Sequence, residues 1–159
     1  LPWPAFLPRD YVPGQKLRIE VYRRLARLRD PKTLDDFRQE LRDRYGPPPD
    51  PAEWLLKTTE VRLACVRWAV SAVHRDGPDL VLTYRGRGKA DQLAKLSGGR
   101  LKVVDERNLY LRLRPGEDDP PAMYALLKAV LNPPPGGLPP PPAPPPPPKA
   151  PVRKERRRH

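Results

Sequence analysis

Residues 30–49 read DPKTLDDFRQELRDRYGPPP, a stretch that contains the start, the register and the end of a helix. Asp30 can accept a backbone N–H as an N-cap, and Pro31 suits the first helical position, where no donor is needed. Gly46 can take the left-handed conformation that closes a helix, and three prolines after it forbid continuation. Leu34, Phe37, Leu41 and Tyr45 fall in one narrow stripe at about 100° per residue, the side that needs a core. Asp36, Glu40 and Asp43 follow i, i+4, i+7 and make an acidic stripe on the other side. Stacked like charges cost an isolated helix a few tenths of a kcal/mol per pair. Such a stripe is read either as a solvated face or, in a chain of net charge +12, as a docking face for a basic partner.

The charge is unevenly spread. Residues 133–159 hold six Lys and Arg against one Glu, and half of the 26 prolines. Such a segment cannot bury enough apolar surface to fold, and reads as a disordered polyproline spacer ending in the basic tip VRKERRRH. What precedes it has ordinary globular composition and room for a core. With one cysteine in the chain, Cys65, neither an internal disulfide nor a cysteine-rich metal site is available, and a reducing compartment is favoured. No apolar run approaches membrane-spanning length, and no signal-peptide pattern occurs. The chain begins at Leu1 with a Pro-rich lead-in, and is expected to be the C-terminal piece of something longer.

Residues 1–15 have four prolines and no period; Trp3, Phe6, Leu7, Tyr11 and Val12 suggest an extended arm packed on the domain. Lys16 to Leu28 reads as a helix with one stripe of Leu17, Val21, Leu25 and Leu28 and a second of Ile19, Tyr22 and Ala26. Glu20, Arg23, Arg24 and Arg27 share its polar arc, and Arg18 falls between the stripes, to snorkel or to pair a carboxylate. Asp50-Pro51-Ala52-Glu53 repeats the helix-start signal, with Glu53 placed for a capping box. The helix it opens, to about residue 67, has one face of Ala52, Leu55, Leu56, Thr59, Leu63 and Val66. A narrower one of Trp54, Val61 and Cys65 implies cover on two sides. The period then changes. Ala69–Val73 and Leu80–Tyr84 read as a strand pair, Lys89–Leu96 as a short helix, and Leu101–Asp105 and Leu109–Leu113 as a second pair. Leu109, Leu111 and Leu113 alternate with Tyr110, Arg112 and Arg114, the pattern of a sheet wet on one face. A last helix runs from Asp119 to about Leu131. The fold class is α+β: three N-terminal helices, then a ββαββα unit with a small, mainly antiparallel sheet. Residues 16–132 form the domain, between the arm and the tail.

Catalytic constellations are not found. His74 and His159 are too few and too far apart for a metal cluster. Arg85-Gly86-Arg87-Gly88-Lys89 follows a strand and opens a helix, but lacks the glycine spacing and the Ser/Thr of a phosphate loop. Glu117, Asp118 and Asp119 precede a helix, where capping and the helix dipole account for them. The rival to a docking role is a basic accessory DNA-binding module. The tail residues Arg153, Lys154, Arg156, Arg157 and Arg158 offer weak, nonspecific phosphate contacts. A single-strand platform on the folded part is set aside, because aromatic residues do not interleave with basic ones on one strand face.

Asp10-Tyr11-Val12-Pro13, Arg18 with Tyr22, Leu25 and Ala26, and above all Glu40-Leu41-Arg42-Asp43-Arg44-Tyr45-Gly46 with Pro49 carry a family likeness. They resemble the C-terminal domain of bacterial transcription-repair coupling factors, with the resemblance specific over residues 1–67 and limited to the order of elements beyond. Gly14 stands where the family usually has an acid, Trp54 where it has Asn, and Trp68-Ala69 in place of a Gly-Ile lead into the first strand.

The resemblance implies a non-catalytic, regulatory domain of an ATP-dependent DNA translocase that links stalled RNA polymerase to excision repair. It implies docking on the N-terminal repair-protein-like domain of the same protein, masking the surface that recruits the excinuclease A subunit until DNA and stalled polymerase are engaged. The family's docking acids correspond to Glu40 and Asp43, with Asp36 beside them and Arg44 as a further candidate. No cofactor is implied for this segment; ATP and Mg belong to the parent's motor domains, and RNA polymerase is met through other domains. A cytoplasmic, nucleoid-associated location without membrane contact goes with that role. A purely structural cap on the motor domains is the third reading.

Overall fold

The computed structural model describes residues 3–140. The basic tip and most of the expected spacer, 141–159, lie outside the described residues, and so do Arg153, Lys154, Arg156, Arg157 and Arg158. The described chain is α+β, as expected. It runs α1 (Gln15–Arg27), α2 (Pro31–Tyr45), α3 (Asp50–Arg67), β1 (Val70–Asp76), β2 (Asp79–Tyr84), α4 (Arg87–Leu96), β3 (Leu101–Val103), β4 (Asn108–Arg112) and α5 (Pro120–Leu131). None of these helices is long and apolar enough to cross a membrane.

α2 forms as its letters dictate. The Asp30 carboxylate accepts the Thr33 N–H at 2.9 Å, and Gly46 ends the helix at φ 85°, its N–H on the Arg42 carbonyl. Leu34, Phe37 and Leu41 are buried. α3 starts differently from the capping-box expectation. Its N-cap is Pro49, with no side-chain cap bond, and Glu53 turns instead toward Arg42, 4.0 Å away.

The strands make one antiparallel sheet in the order β1-β2-β4-β3. Leu80, Leu82, Leu109, Leu111 and Leu101 share its inner face and are fully or almost fully buried against helices. α3 touches β1 and α5, and α4 touches β3 and α5. A second cluster joins Leu7, Tyr11 and Val12 of the arm to Leu25, Phe37 and Leu56 from the three N-terminal helices. α3 serves both clusters, with Ala52, Leu56 and Leu63 toward α1 and α2 and Val61 and Cys65 toward the sheet. Burial pushes the Cys65 thiol up to about 11, as suits a small core residue.

The arm is held by polar bonds as well as burial. The Tyr11 hydroxyl donates to the Gly46 carbonyl at 3.0 Å, and the Leu7 N–H to the Tyr22 hydroxyl at 2.8 Å. Arg18 neither snorkels nor pairs a carboxylate: its guanidinium donates to the Val12 carbonyl at 3.1 Å, pinning the arm's end. The second α1 stripe is not core, since Ile19 and Tyr22 are 41% and 40% exposed, and Val66 on α3 is 56% exposed.

Trp68 closes α3 and locks it to α5, donating from Nε1 to the Leu131 carbonyl at 2.7 Å. The next residue, Ala69, has φ 56°, a left-handed backbone held by the Arg85 N–H on its carbonyl at 3.0 Å. Past α5 the chain does not leave the domain at residue 133, where the spacer was expected to begin. The Leu138 N–H donates to the Leu96 carbonyl at 2.8 Å, and its side chain packs on the sheet cluster. Gly98 and Gly137 allow this crossing: a Cβ on Gly98 would stand 2.6 Å from the Pro139 carbonyl oxygen.

Candidate functional site

α2 presents its acids unequally. Glu40 is not a free surface carboxylate. Arg24, from the last turn of α1, donates Nη1 and Nη2 to its two oxygens at 2.7 Å each. The same guanidinium lies 4.6 Å over the Phe37 ring, so an apolar floor fixes the cation that fixes the acid. The hydrogen bonds from Arg24 hold the Glu40 carboxyl below its ordinary range, against partial desolvation, with Arg24 and Arg44 charges assisting. Arg44 stands 3.9 Å from Glu40 and 5.2 Å from the centre of the Tyr45 ring, with its side chain about half exposed.

Asp36 and Asp43 are exposed. Asp43 accepts an N–H from the Gln39 amide at 3.0 Å, one turn back on the same helix. Among the described residues neither aspartate has a cationic side chain within 4 Å. On the far flank of α2, Arg38 and Arg42 face α3. Arg42 is 4.0 Å from Glu53, and Arg38 is 3.8 Å from Glu60. Glu60 also takes Lys128 at 3.2 Å and the Tyr124 hydroxyl at 2.6 Å, tying α2, α3 and α5 together. Burial, then the bond to Glu60, drives the Tyr124 hydroxyl well above its usual value.

The acidic stripe therefore splits. Asp36 and Asp43 are available to an outside partner, while Glu40 belongs to an Arg24–Glu40–Arg44 cluster at their edge. Arg24 is the residue that sequence reasoning missed; it sat undistinguished in the polar arc of α1. Its meeting with Glu40, sixteen positions away, depends on how α1 lies against α2, and no spacing rule within one helix contains that.

The other sequence candidates separate. Glu117 does not cap α5: it accepts Arg100 Nη1 and Nη2 at 3.0 and 2.7 Å and the Arg114 N–H at 2.8 Å, closing the turn after β4. Asp119 holds the N-cap position of α5 without a side-chain bond. In the Arg85–Lys89 loop, Arg87 pairs with Asp91 at 3.0 Å and Lys89 donates to the Arg67 carbonyl at 3.4 Å. Among the described residues no three His, Cys, Asp or Glu side chains converge as a metal site requires.

Known proteins give this geometry a context. The transcription-repair-coupling factor of Mycobacterium tuberculosis (strain CDC 1551 / Oshkosh) is 43% identical over 65 residues, 41% of this chain and 5% of that protein. That of Escherichia coli (strain K12) is 37% identical over 59 residues, 37% of this chain and 5% of that one. That of Rickettsia bellii (strain RML369-C) is 28% identical over 92 residues, 57% of this chain and 8% of that one. The matched segment is thus about a twentieth of the relatives' length. A crystal structure of the C-terminal domain of a transcription-repair coupling factor superposes with a TM-score of 0.64 at 19% identity. It covers 82% of this chain and 85% of that one, a likeness of fold. The family model described as TRCF domain matches residues 1–94, well over half of the 159 residues. On that match, the arm, α1, α2 and α3, with β1, β2 and most of α4, place this chain in the TRCF domain family, that of the C-terminal domains of transcription-repair coupling factors.

Proposed function

We propose that this domain is an intramolecular mask, docking through α2 on a basic surface of the N-terminal repair-protein-like domain of its own parent protein. In that state it covers the surface that recruits the excinuclease A subunit, and release follows engagement of DNA and stalled polymerase. Asp36 and Asp43 make the outward contacts. Glu40, braced by Arg24, and Arg44 form the flank against which the partner's cations register. The observation supporting this reading is that, among the described residues of a chain of net charge +12, Asp36 and Asp43 have no cationic side chain within 4 Å. Attraction between patches of opposite sign sets orientation and association rate. The domain itself carries no chemistry in this reading; ATP-driven translocation and polymerase contact fall to other parts of the parent, in the cytoplasm.

The test is made in the full-length parent. Asp36→Lys with Asp43→Lys should raise affinity for the excinuclease A subunit without DNA or stalled polymerase, because attraction becomes repulsion across the docked face. Unchanged affinity, with the fold intact by circular dichroism, refutes masking. A structural cap on the motor domains has its own support: an open cleft of about 680 Å3 bordered by Phe6, Ile19 and Tyr22, where arm and α1 leave apolar surface uncovered. The two readings use different faces. Ile19→Glu should weaken the cap without affecting the mask.

A further inference from the structure

The sheet has a second face, opposite the one that packs on the helices. Paired residues of an antiparallel ladder point to the same side. The register sets His74 opposite Val81, Val81 opposite Tyr110, and Tyr110 opposite Lys102, one row across all four strands. The adjoining row sets Asp76 opposite Asp79 and Asp79 opposite Arg112. Leu113 is buried, so the alternation carries on to Arg114, which is exposed like Lys102. Tyr110 and Arg112 thus share the outer face of β4, with Lys102 across from the ring and Arg114 two residues past the end of the strand.

We propose that this face binds single-stranded nucleic acid, with Tyr110 as the stacking platform and Lys102, Arg112 and Arg114 as phosphate contacts. A shallow cleft of about 450 Å3 runs here, bordered by Gly99, Arg100, Lys102, Tyr110, Arg112 and Arg114. Three acids lie on or beside this face: Asp79 and Glu117 are engaged with arginines, and Asp76 stands at the end of the Arg112 row, beyond Asp79 and away from Lys102 and Arg114. Asp79 accepts Arg112 Nε at 2.7 Å, while the Arg112 side chain stays 70% exposed. Glu117 takes the fork of Arg100, which also donates to the Arg112 carbonyl at 3.2 Å, so the cleft rim is braced. Among the described residues Lys102 and Arg114 have no acidic side chain within 4 Å, which leaves the cleft a net positive face.

The class of ligand follows from the geometry. Residues two apart on a strand recur every ~6.6–6.8 Å, a rise comparable to one nucleotide of an extended chain. Arg112 one step along from Tyr110, and Arg114 beyond the strand end, can follow a phosphate backbone, and the half-buried Tyr110 ring between Lys102 and Arg112 offers its face to an unpaired base. A duplex keeps its bases stacked inside and cannot use the ring. β4 itself carries one aromatic beside one cation, Tyr110 and Arg112; the further cation comes from Lys102 on β3, through a strand order that the sequence does not spell out.

The test uses the full chain with fluorescence anisotropy on a labelled short oligo(dT) and on a duplex of equal length, across a salt series. Tyr110→Ala should weaken oligo(dT) binding by about tenfold, the loss typical of one stacking aromatic, and leave the duplex unaffected. Tyr110→Leu serves as a second variant that keeps contact with Val81 but loses the flat ring; it should show the same selective loss. Lys102→Glu with Arg114→Glu should flatten the log–log salt slope for oligo(dT) by about 1.4, two phosphate contacts at ~0.7 each. Arg23→Glu with Arg27→Glu, exposed on α1, and replacement of the basic residues 153–158 by glutamine should each leave the Tyr110 effect in place. The proposal is overturned if both Tyr110 variants bind oligo(dT) like the parent chain, or if the α1 reversal costs as much as the sheet reversal. It is also overturned if a polyglutamate peptide binds as tightly as oligo(dT) with the same dependence on Tyr110, which would assign the face to an acidic protein partner.

Discussion

Reversing Asp36, Glu40 and Asp43 one at a time should separate a carboxylate held by cations from two that meet none. Glu40 takes both donors of Arg24 at 2.7 Å and has Arg44 3.9 Å away. The pair is 42% and 38% exposed, so solvent screens it, and an exposed pair of this kind is worth ~0.2–1 kcal/mol. Glu40→Lys removes that attraction and puts a third cation beside Arg24 and Arg44, so the combined loss should reach about 1–2 kcal/mol. Asp36→Lys and Asp43→Lys touch no cation within 4 Å among the described residues and should leave the urea midpoint where it is. pH supplies a second reading. Arg24 holds the Glu40 carboxyl below its ordinary range, so the folded state binds that proton more weakly than the unfolded chain. The stabilisation is full above the unfolded value of about 4.3 and disappears as pH falls through the lower folded value. Urea melts of wild type and Glu40→Gln should therefore differ at neutral pH and converge in acid. A Glu40→Lys midpoint no lower than that of Asp43→Lys, or a Glu40→Gln gap that persists unchanged into acid, would refute the argument.

Two further outcomes follow from packing and backbone. Phe37→Ala should cost roughly 3–5 kcal/mol, because the ring is almost fully buried and also floors Arg24; a loss below that of Glu40→Lys in the same melts would place the ring at the surface. Ala69→Gly should raise stability by about 0.5–1 kcal/mol, the relief of a left-handed alanine less the added freedom of glycine in the unfolded chain; a lowered melting temperature would show that φ 56° is not the strained feature here.

Much of the fold was legible because its signals are local. The Asp30 cap, the Leu34–Phe37–Leu41 stripe and the Gly46 stop act within a few residues of one another, and α2 appears with those bounds. The leucine alternation at 109, 111 and 113 likewise marks a face before any partner strand is known. Sequence spacing placed both strand pairs, and erred by a few residues at their ends, where pairing partners decide how far a strand extends. What the tertiary structure alone decided are the meetings between elements. The order β1-β2-β4-β3 puts Lys102 beside Tyr110, and the packing of α1 on α2 gives Glu40 of the acidic stripe a cation from within the domain. The close crossing of Gly137 and Gly98 holds the start of the proline-rich segment against α4, contrary to what its composition announces. Periodicity reports which side of an element avoids water. It says nothing of which charge on the next element will be opposite, because that is settled only when the two apolar faces have found their common core.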